Sequence, residues 1–269
     1  MKQRLLRYWA IAVGISIAFT VAYKSLAPAR RELALRQAQD KTALIETDTG
    51  MGSGVFFKRG YHVFMWTAGH VVDGSTTVKV RKILRARNEK AGEMVFPAHV
   101  LFRFPDADTA VLLVEAPSEL ITETAEWTRD ISRPGARVYT VGNYHGDKFD
   151  GSVSTGSIAQ LGIVPPAPDW PKLDQAQLTV APGSSGGGIF NDSNNLIGLT
   201  IGGMDAVGVL FFVPERIVEG QVMRIKSPWL LFPEYGCPPD RELKAIIAAD
   251  EAEQKAVKGV DALLRELLK

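Results

Sequence analysis

The sequence predicts an all-β protein, an antiparallel barrel or sandwich, and three observations carry that expectation. Short runs of β-branched and aromatic residues recur from Val55 to about Val218. Gly, Pro, Asn and Asp punctuate them at turn-like intervals, and no long helical pattern intervenes. No internal repeat of fixed period is visible. The chain has 269 residues, 46% hydrophobic and 23% charged, enough for one large β-rich domain or two small ones with a sizeable core. A formal net charge of +1 gives no electrostatic reason to expect a nucleic-acid partner. The single cysteine, Cys237, excludes an intramolecular disulfide and reads as a passive small residue beside Pro238 and Pro239.

The chain opens with Lys2, Arg4 and Arg7, then sixteen uncharged residues, Tyr8 to Tyr23, closed by Lys24. A spanning helix needs roughly 20 apolar residues and a signal-peptide core about 7–15. With Leu5 and Leu6 added, residues 5–24 read as an uncleaved membrane anchor, with a cleaved signal as the alternative. Positive charge is nearly balanced across the segment. The secretory-type layout places the bulk of the chain on the extracytoplasmic side, or in the periplasm or medium after cleavage. Residues 1–25 are thus signal or anchor. Residues 26–47, rich in Ala, Arg, Leu and Gln, are a helical stalk.

The glycine-rich stretch Asp48 to Gly54 enters the folded domain, expected over residues 48–235. Strand-like runs follow at Gly54–Phe57, Tyr61–Thr67, Thr76–Val80, Ala98–Phe102, Thr109–Val114 and Arg137–Val141. Others are Ser152–Ile158, Gln177–Val180, Leu196–Ile201 and Gly208–Val213. The basic run Val80 to Arg87 reads as a solvated strand edge and loop. The tail, residues 236–269, is an amphipathic helix with apolar clusters at Leu243, Ile246 and Ile247 and from Val257 to Leu268. That stripe is expected to pack on the barrel, or otherwise to serve a partner helix and so an oligomer.

Candidate chemistry lies at three places. His62 and His99 alternate with apolar residues and read as structural, and His145 sits in a polar turn. His70 ends a strand in Thr67-Ala68-Gly69-His70, where small neighbours allow close backbone approach, as a rigidly mounted general base requires. Asp108 stands immediately before the strand Thr109–Val114 and could hold the base's other ring nitrogen. Asp106 competes for that role but sits further out in the turn. Ser185, in Ala181-Pro182-Gly183-Ser184-Ser185-Gly186-Gly187-Gly188, is the candidate nucleophile, with Ser184 as alternative. Backbone N–H groups of Gly183, Ser184 and Ser185 could receive a developing oxyanion, and Gly186 and Gly187 could leave room for a substrate backbone.

Thr67-Ala68-Gly69-His70, Asp108-Thr109-Ala110-Val111-Leu112 and Gly183-Ser184-Ser185-Gly186-Gly187 resemble the three signature blocks of trypsin-like, chymotrypsin-fold serine peptidases. They come in the same order, 38 and 77 residues apart (108−70 and 185−108). Gly52-Ser53-Gly54-Val55, Val141-Gly142-Asn143, Ala181-Pro182-Gly183 and Phe212-Val213-Pro214 are closest to the HtrA-like branch. The resemblance, over residues 50–220, implies two antiparallel six-stranded β-barrels. The first, residues 50 to about 125, would carry His70 and Asp108, and the second, residues 130 to 220, Ser185.

It also implies a serine endopeptidase acting through an acyl-enzyme on polypeptide substrates, with no metal or cofactor. The alternative is an inactive module of that fold that binds extended peptides or acts as a membrane-tethered adaptor. Thr179 stands where trypsin-like selectivity places an aspartate, so a small or medium apolar residue is expected on the acyl side of the cut. Thr200, Ile201 and Gly202 resemble the strand that pairs with the substrate. Ser184 replaces the family's usual Asp or Asn, and there is no Ile-Val-Gly-Gly block, so activation by proteolytic cleavage is not expected. Thr109 replaces an aliphatic residue. The roughly fifty residues after the barrel are too few for the PDZ domain that HtrA enzymes carry.

Overall fold

The structure is a computed structural model and describes residues 28–86, 89–129, 133–164 and 172–267. The hydrophobic segment at residues 5–24 lies outside the described residues. Among those described, no helix is long and apolar enough to cross a membrane.

Twelve strands form two closed six-stranded barrels. The first comprises β1 (Thr42–Glu46), β2 (Met51–Arg59), β3 (His62–Ala68), β4 (Thr77–Ala86), β5 (Glu89–Phe104) and β6 (Thr109–Val114). Its order around the barrel is β1-β2-β3-β6-β5-β4, every pairing antiparallel. The second comprises β7 (Arg137–Tyr144), β8 (Phe149–Ile163), β9 (Leu173–Gln177), β10 (Gly188–Asn191), β11 (Leu196–Met204) and β12 (Val209–Pro214). Its order, β7-β8-β9-β12-β11-β10, repeats that of the first. The duplication is thus one of topology, with no repeated sequence to reveal it. Closure leaves neither sheet with an open edge.

The strands form where the sequence alternates. In β4, Val78, Val80 and Lys82 are buried while Thr77, Lys79 and Leu84 are exposed. β2 and β3 are buried along nearly their whole length: they touch β7 and β11 of the second barrel, and Phe64 and Trp66 also meet Trp229 and Trp127 from outside the strands. Phe57 stacks on Phe64 and Trp66 at centroid distances of 5.1 and 5.9 Å, and Trp127 meets Trp66 edge-on at 5.7 Å. Each such side chain, fully withdrawn from water, stabilises the fold by about 1.5–3 kcal/mol. Val138, Ile158, Leu178, Ile189, Leu210 and Phe212 fill the second barrel.

Several boundaries differ from the sequence expectation. The helix α1, residues 28–40, is not a free stalk. Ala38 is fully buried, Gln39 Nε2 donates to Gly151 O, and Lys41 Nζ, just beyond it, donates to Asn194 O, so α1 docks on the second barrel. β1 begins at Thr42, so the first barrel starts inside the span read as linker. Short β1 and β10 were too brief, or too glycine-rich, to show a period. The basic run is engaged rather than solvated: Lys82 is buried and donates to Asp40 O, Arg85 donates to Asp150 O, and Arg81 pairs with Glu46 and Glu93.

After β12 the helix α2 (Glu215–Arg224) packs back on the barrels, an element the strand pattern hid. The tail helix α3 runs over Asp240–Leu267. Leu243 is buried, Ile246 and Ile247 pack against the core, and Arg103 pairs with Asp250 at 2.7 Å, fastening α3 to β5. Val257, Val260 and Leu264 of the second cluster are exposed, so among the described side chains it is the first apolar cluster of the tail that packs on the barrel.

Candidate active site

Strand register brings the first two candidate residues together. β3 and β6 pair antiparallel with Ala68 opposite Thr109, so the residues just after β3 and just before β6 share one rim of the barrel. Gly69 N–H donates to Asp108 O at 2.8 Å. A Cβ on Gly69 would stand 2.9 Å from Asp108 Oδ1, which is why the residue before His70 is glycine. Asp108 itself follows a 3₁₀ turn, Pro105–Ala107, and adopts a left-handed backbone, φ +46°, that aspartate tolerates better than most residues. That twist turns its carboxylate back over His70.

The carboxylate is used twice. Asp108 Oδ1 accepts the His70 backbone N–H at 2.8 Å, and Oδ2 lies 2.7 Å from His70 Nδ1. With Nδ1 facing an ionised acceptor, the ring proton sits on Nδ1 and leaves Nε2 as the free lone pair. The hydrogen bond to Asp108 holds the His70 pKa above the ordinary histidine value, against partial burial. Asp106 points elsewhere and pairs with Arg224 of α2 at 2.8 Å.

The serine stretch is a built turn. Ser184 N–H donates to Ala181 O at 3.0 Å, with Pro182 and Gly183 between them. Gly183 has φ +92°, so the sequence Pro-Gly here specifies a type II turn. Gly186 N–H goes to Thr200 O at 2.7 Å and Gly187 N–H to Ser184 O at 2.9 Å. The amides of Gly183 and Ser185 take no hydrogen-bond acceptor among the described residues and are the two donors the turn leaves open. Ser184 N–H, expected beside them, is committed to the turn.

Gly186 and Gly187 do not make room for substrate, as the sequence led us to expect. A Cβ on Gly186, at φ +83°, would stand 2.2 Å from Ser53 O and 2.4 Å from Thr67 Oγ1. One on Gly187 would meet Val141 O at 2.5 Å. These glycines let the serine turn press against the protein's own backbone, Gly186 against the first barrel and Gly187 against β7, which seats Ser185 near the His70 strand.

Ser185 Oγ donates to Ile201 O at 3.1 Å, and no hydrogen bond joins it to His70 among the described residues. Ile201 is the extra residue of a bulge: Thr200 pairs with Phe212 and Gly202 with Phe211. A bulged residue is skipped by the ladder, so its carbonyl is free to face the serine. Thr200, also expected to line the substrate, is buried. Its N–H and C=O are both bonded to the serine turn, and its hydroxyl faces Thr140. Gly202 stays in the β11–β12 ladder. Thr179 is exposed, its carbonyl accepting the Tyr144 hydroxyl at 2.8 Å and its N–H donating to Ser154 Oγ at 2.9 Å.

Three supporting residues were not foreseen as such. Ser53, Asn143 and the His145 backbone all touch the serine turn or its supports. Ser53 and Asn143 lie in the blocks Gly52-Ser53-Gly54 and Val141-Gly142-Asn143, noticed only as resemblances. His62 is bonded to Asp240 and His99 to Glu115, and His145 is exposed on its turn. No cluster able to hold a metal ion occurs among the described residues.

The chain is similar to known proteins. A probable periplasmic serine endoprotease, DegP-like, of Marinomonas sp. is 28% identical over 185 residues, 66% of this chain and 36% of the relative. The putative serine protease HhoB of Synechocystis sp. is 31% identical over 177 residues, covering 64% of this chain and 39% of its own length. The chain thus spans well under half the length of these curated relatives. Among solved structures, the HtrA-type protease AlgW with a tripeptide aligns at TM-score 0.57 and 22% identity, covering 72% of this chain and 62% of that one. Deg5 aligns at 0.56 and 21%, covering 78% and 96%. At such identities the solved structures speak for the fold alone. Residues 52–199, more than half the chain, match the model of the trypsin-like peptidase domain, and the chain belongs to that family.

Proposed function

We propose that this protein is a serine endopeptidase with Ser185 as nucleophile, His70 as general base and acid, and Asp108 as the carboxylate that orients His70. The observation that carries the reading is the Asp108–His70 pair, 2.7 Å apart, on the same seam as a serine turn with two uncommitted amides. The names of the relatives, serine endoproteases, support it.

In the proposed reaction the Ser185 hydroxyl exchanges its bond to Ile201 O for one to His70 Nε2. Oγ attacks the scissile carbonyl carbon as Nε2 takes its proton. The oxyanion that develops is received by Gly183 N–H and Ser185 N–H, and Asp108 stabilises the imidazolium. Collapse breaks the C–N bond, His70 returns the proton to the leaving amine, and the acyl group stays on Ser185. Water, deprotonated by His70, then attacks the ester; the C–Oγ bond breaks, His70 returns the proton to Ser185 Oγ, and the acid is released.

For specificity we infer a small or medium apolar residue on the acyl side of the cut. Thr179 offers no charge, and Ile201 and Gly202 lie on β11, the strand along which the substrate would extend. The Marinomonas relative is named as a periplasmic enzyme, and an extracytoplasmic site fits the hydrophobic segment at residues 5–24, whether anchor or cleaved signal. The domain we assign, residues 48–235 in the sequence reading, takes in β1 as well. Incubation with β-casein, an unfolded substrate, tests the proposal. Cleavage by wild type that is lost in Ser185→Ala is expected, and equal cleavage by both would refute it.

A further inference from the structure

The serine turn is held by a side chain from the other barrel. Ser53, on β2, is completely buried, and its Oγ meets three partners. Asn143 donates its backbone N–H at 2.9 Å and its Nδ2 at 3.2 Å, occupying both lone pairs of the hydroxyl. Its single proton is therefore directed to Gly183 O, 2.7 Å away. The Asn143 amide is oriented in turn, because its Oδ1 accepts Gly151 N–H at 3.0 Å. Through its main chain the same serine grips the turn once more, Ser53 N–H donating to Ser185 O at 2.7 Å, while Ser53 O accepts the hydroxyl of Thr67 on β3 at 2.8 Å.

These bonds fall on the peptide groups beside the two open amides. Gly183 O and Ser185 O belong to the peptides that follow Gly183 and Ser185. Gly183, with φ +92°, has no side chain to limit rotation of the units around it. We propose that Ser53 is a positioning residue that fixes the Gly183 and Ser185 amides in the orientation that receives the oxyanion. This rests on the reading of the turn as the oxyanion site. A hydroxyl whose acceptor and donor roles are all specified leaves one arrangement, and in a site closed to water no solvent molecule replaces it.

Saturation kinetics of inactivation by a fluorophosphonate, on the full chain, separate positioning from packing. Ser53→Ala is expected to lower the limiting rate of inactivation by about 10–100-fold, the cost of a misplaced oxyanion donor. The half-saturating concentration should stay within about threefold, because encounter with the probe does not use the oxyanion contacts. β-Casein hydrolysis should fall in parallel, and Ser53→Thr, which keeps the hydroxyl, should recover most of the rate. Should Ser53→Ala fail to fold, Ser53→Cys, of similar volume and weaker as a donor, is expected to give an intermediate limiting rate. Wild-type limiting rates in Ser53→Ala or Ser53→Cys, or an equal loss in Ser53→Thr, would overturn the role of Ser53 alone. Wild-type protein that takes up no label would instead overturn the reading of the site.

Discussion

Replacing Asp108 by Asn isolates what the carboxylate does for His70. The substitution is nearly isosteric, and its Oδ1 can still accept the His70 backbone N–H, so the rim geometry is kept. What changes is the second oxygen, now an amide –NH₂ facing His70 Nδ1, where Oδ2 stood at 2.7 Å. Two donors cannot face one another, so Nδ1 must accept and the ring proton moves to Nε2. The atom needed as base then carries a proton in the neutral imidazole. A wrong tautomer of this kind lowers turnover by about 10⁴-fold, equivalent to about 5.5 kcal/mol of barrier.

The His70 pKa adds a second readout. Asp108 holds it above about 6.5, so the acid limb of kcat/KM for wild type should lie above that value. The same bond stabilises the fold fully below the ordinary histidine pKa, and that contribution fades as pH rises through the elevated native value. In Asp108→Asn both effects go, and any residual acid limb moves downward. β-Casein hydrolysis followed from pH 5 to 9 measures rate and limb together. Activity of Asp108→Asn within about tenfold of wild type at neutral pH would refute the tautomer argument.

Other perturbations follow from single contacts. Gly186→Ala places a Cβ 2.2 Å from Ser53 O at a backbone φ of +83°, and should cost more than about 2 kcal/mol in urea unfolding. Thr109→Val should stabilise by about 1 kcal/mol in the same assay, because the Thr109 hydroxyl is fully buried with no hydrogen-bond partner among the described residues. Burial pushes the Glu215 carboxyl up to about 7, so its ionisation costs the fold stability as pH rises towards and through that value. Glu215→Gln should therefore raise stability by about 1–3 kcal/mol at pH 8 and change little at pH 4, in paired unfolding curves.

What the sequence made legible was local. His70, Asp108 and Ser185 each stood out because a functional side chain sat beside glycine or at a strand mouth, and the β pattern followed from alternating residues. The rest depended on distance in space. Ser53 reads as an ordinary strand serine until β2 is laid against Gly183, 130 residues on. Gly186 and Gly187 looked like room for a substrate because nothing local shows that Ser53 and Val141 fill the space. The docking of α1 was equally hidden, since its contacts with Gly151 and Asn194 lie more than a hundred residues away in sequence. Ile201 was noticed as part of a strand, but its bulge, and so its free carbonyl, is a property of pairing with β12.

The central claim is that Ser185 is the nucleophile activated on this seam. Reaction with a fluorophosphonate, followed by digestion and mass mapping of the adduct, tests it most directly. One phosphonyl group per chain is expected, on the peptide containing Ser185, absent from Ser185→Ala and strongly slowed in His70→Ala. Label on Ser184 or elsewhere, or equal labelling of Ser185→Ala, would contradict it.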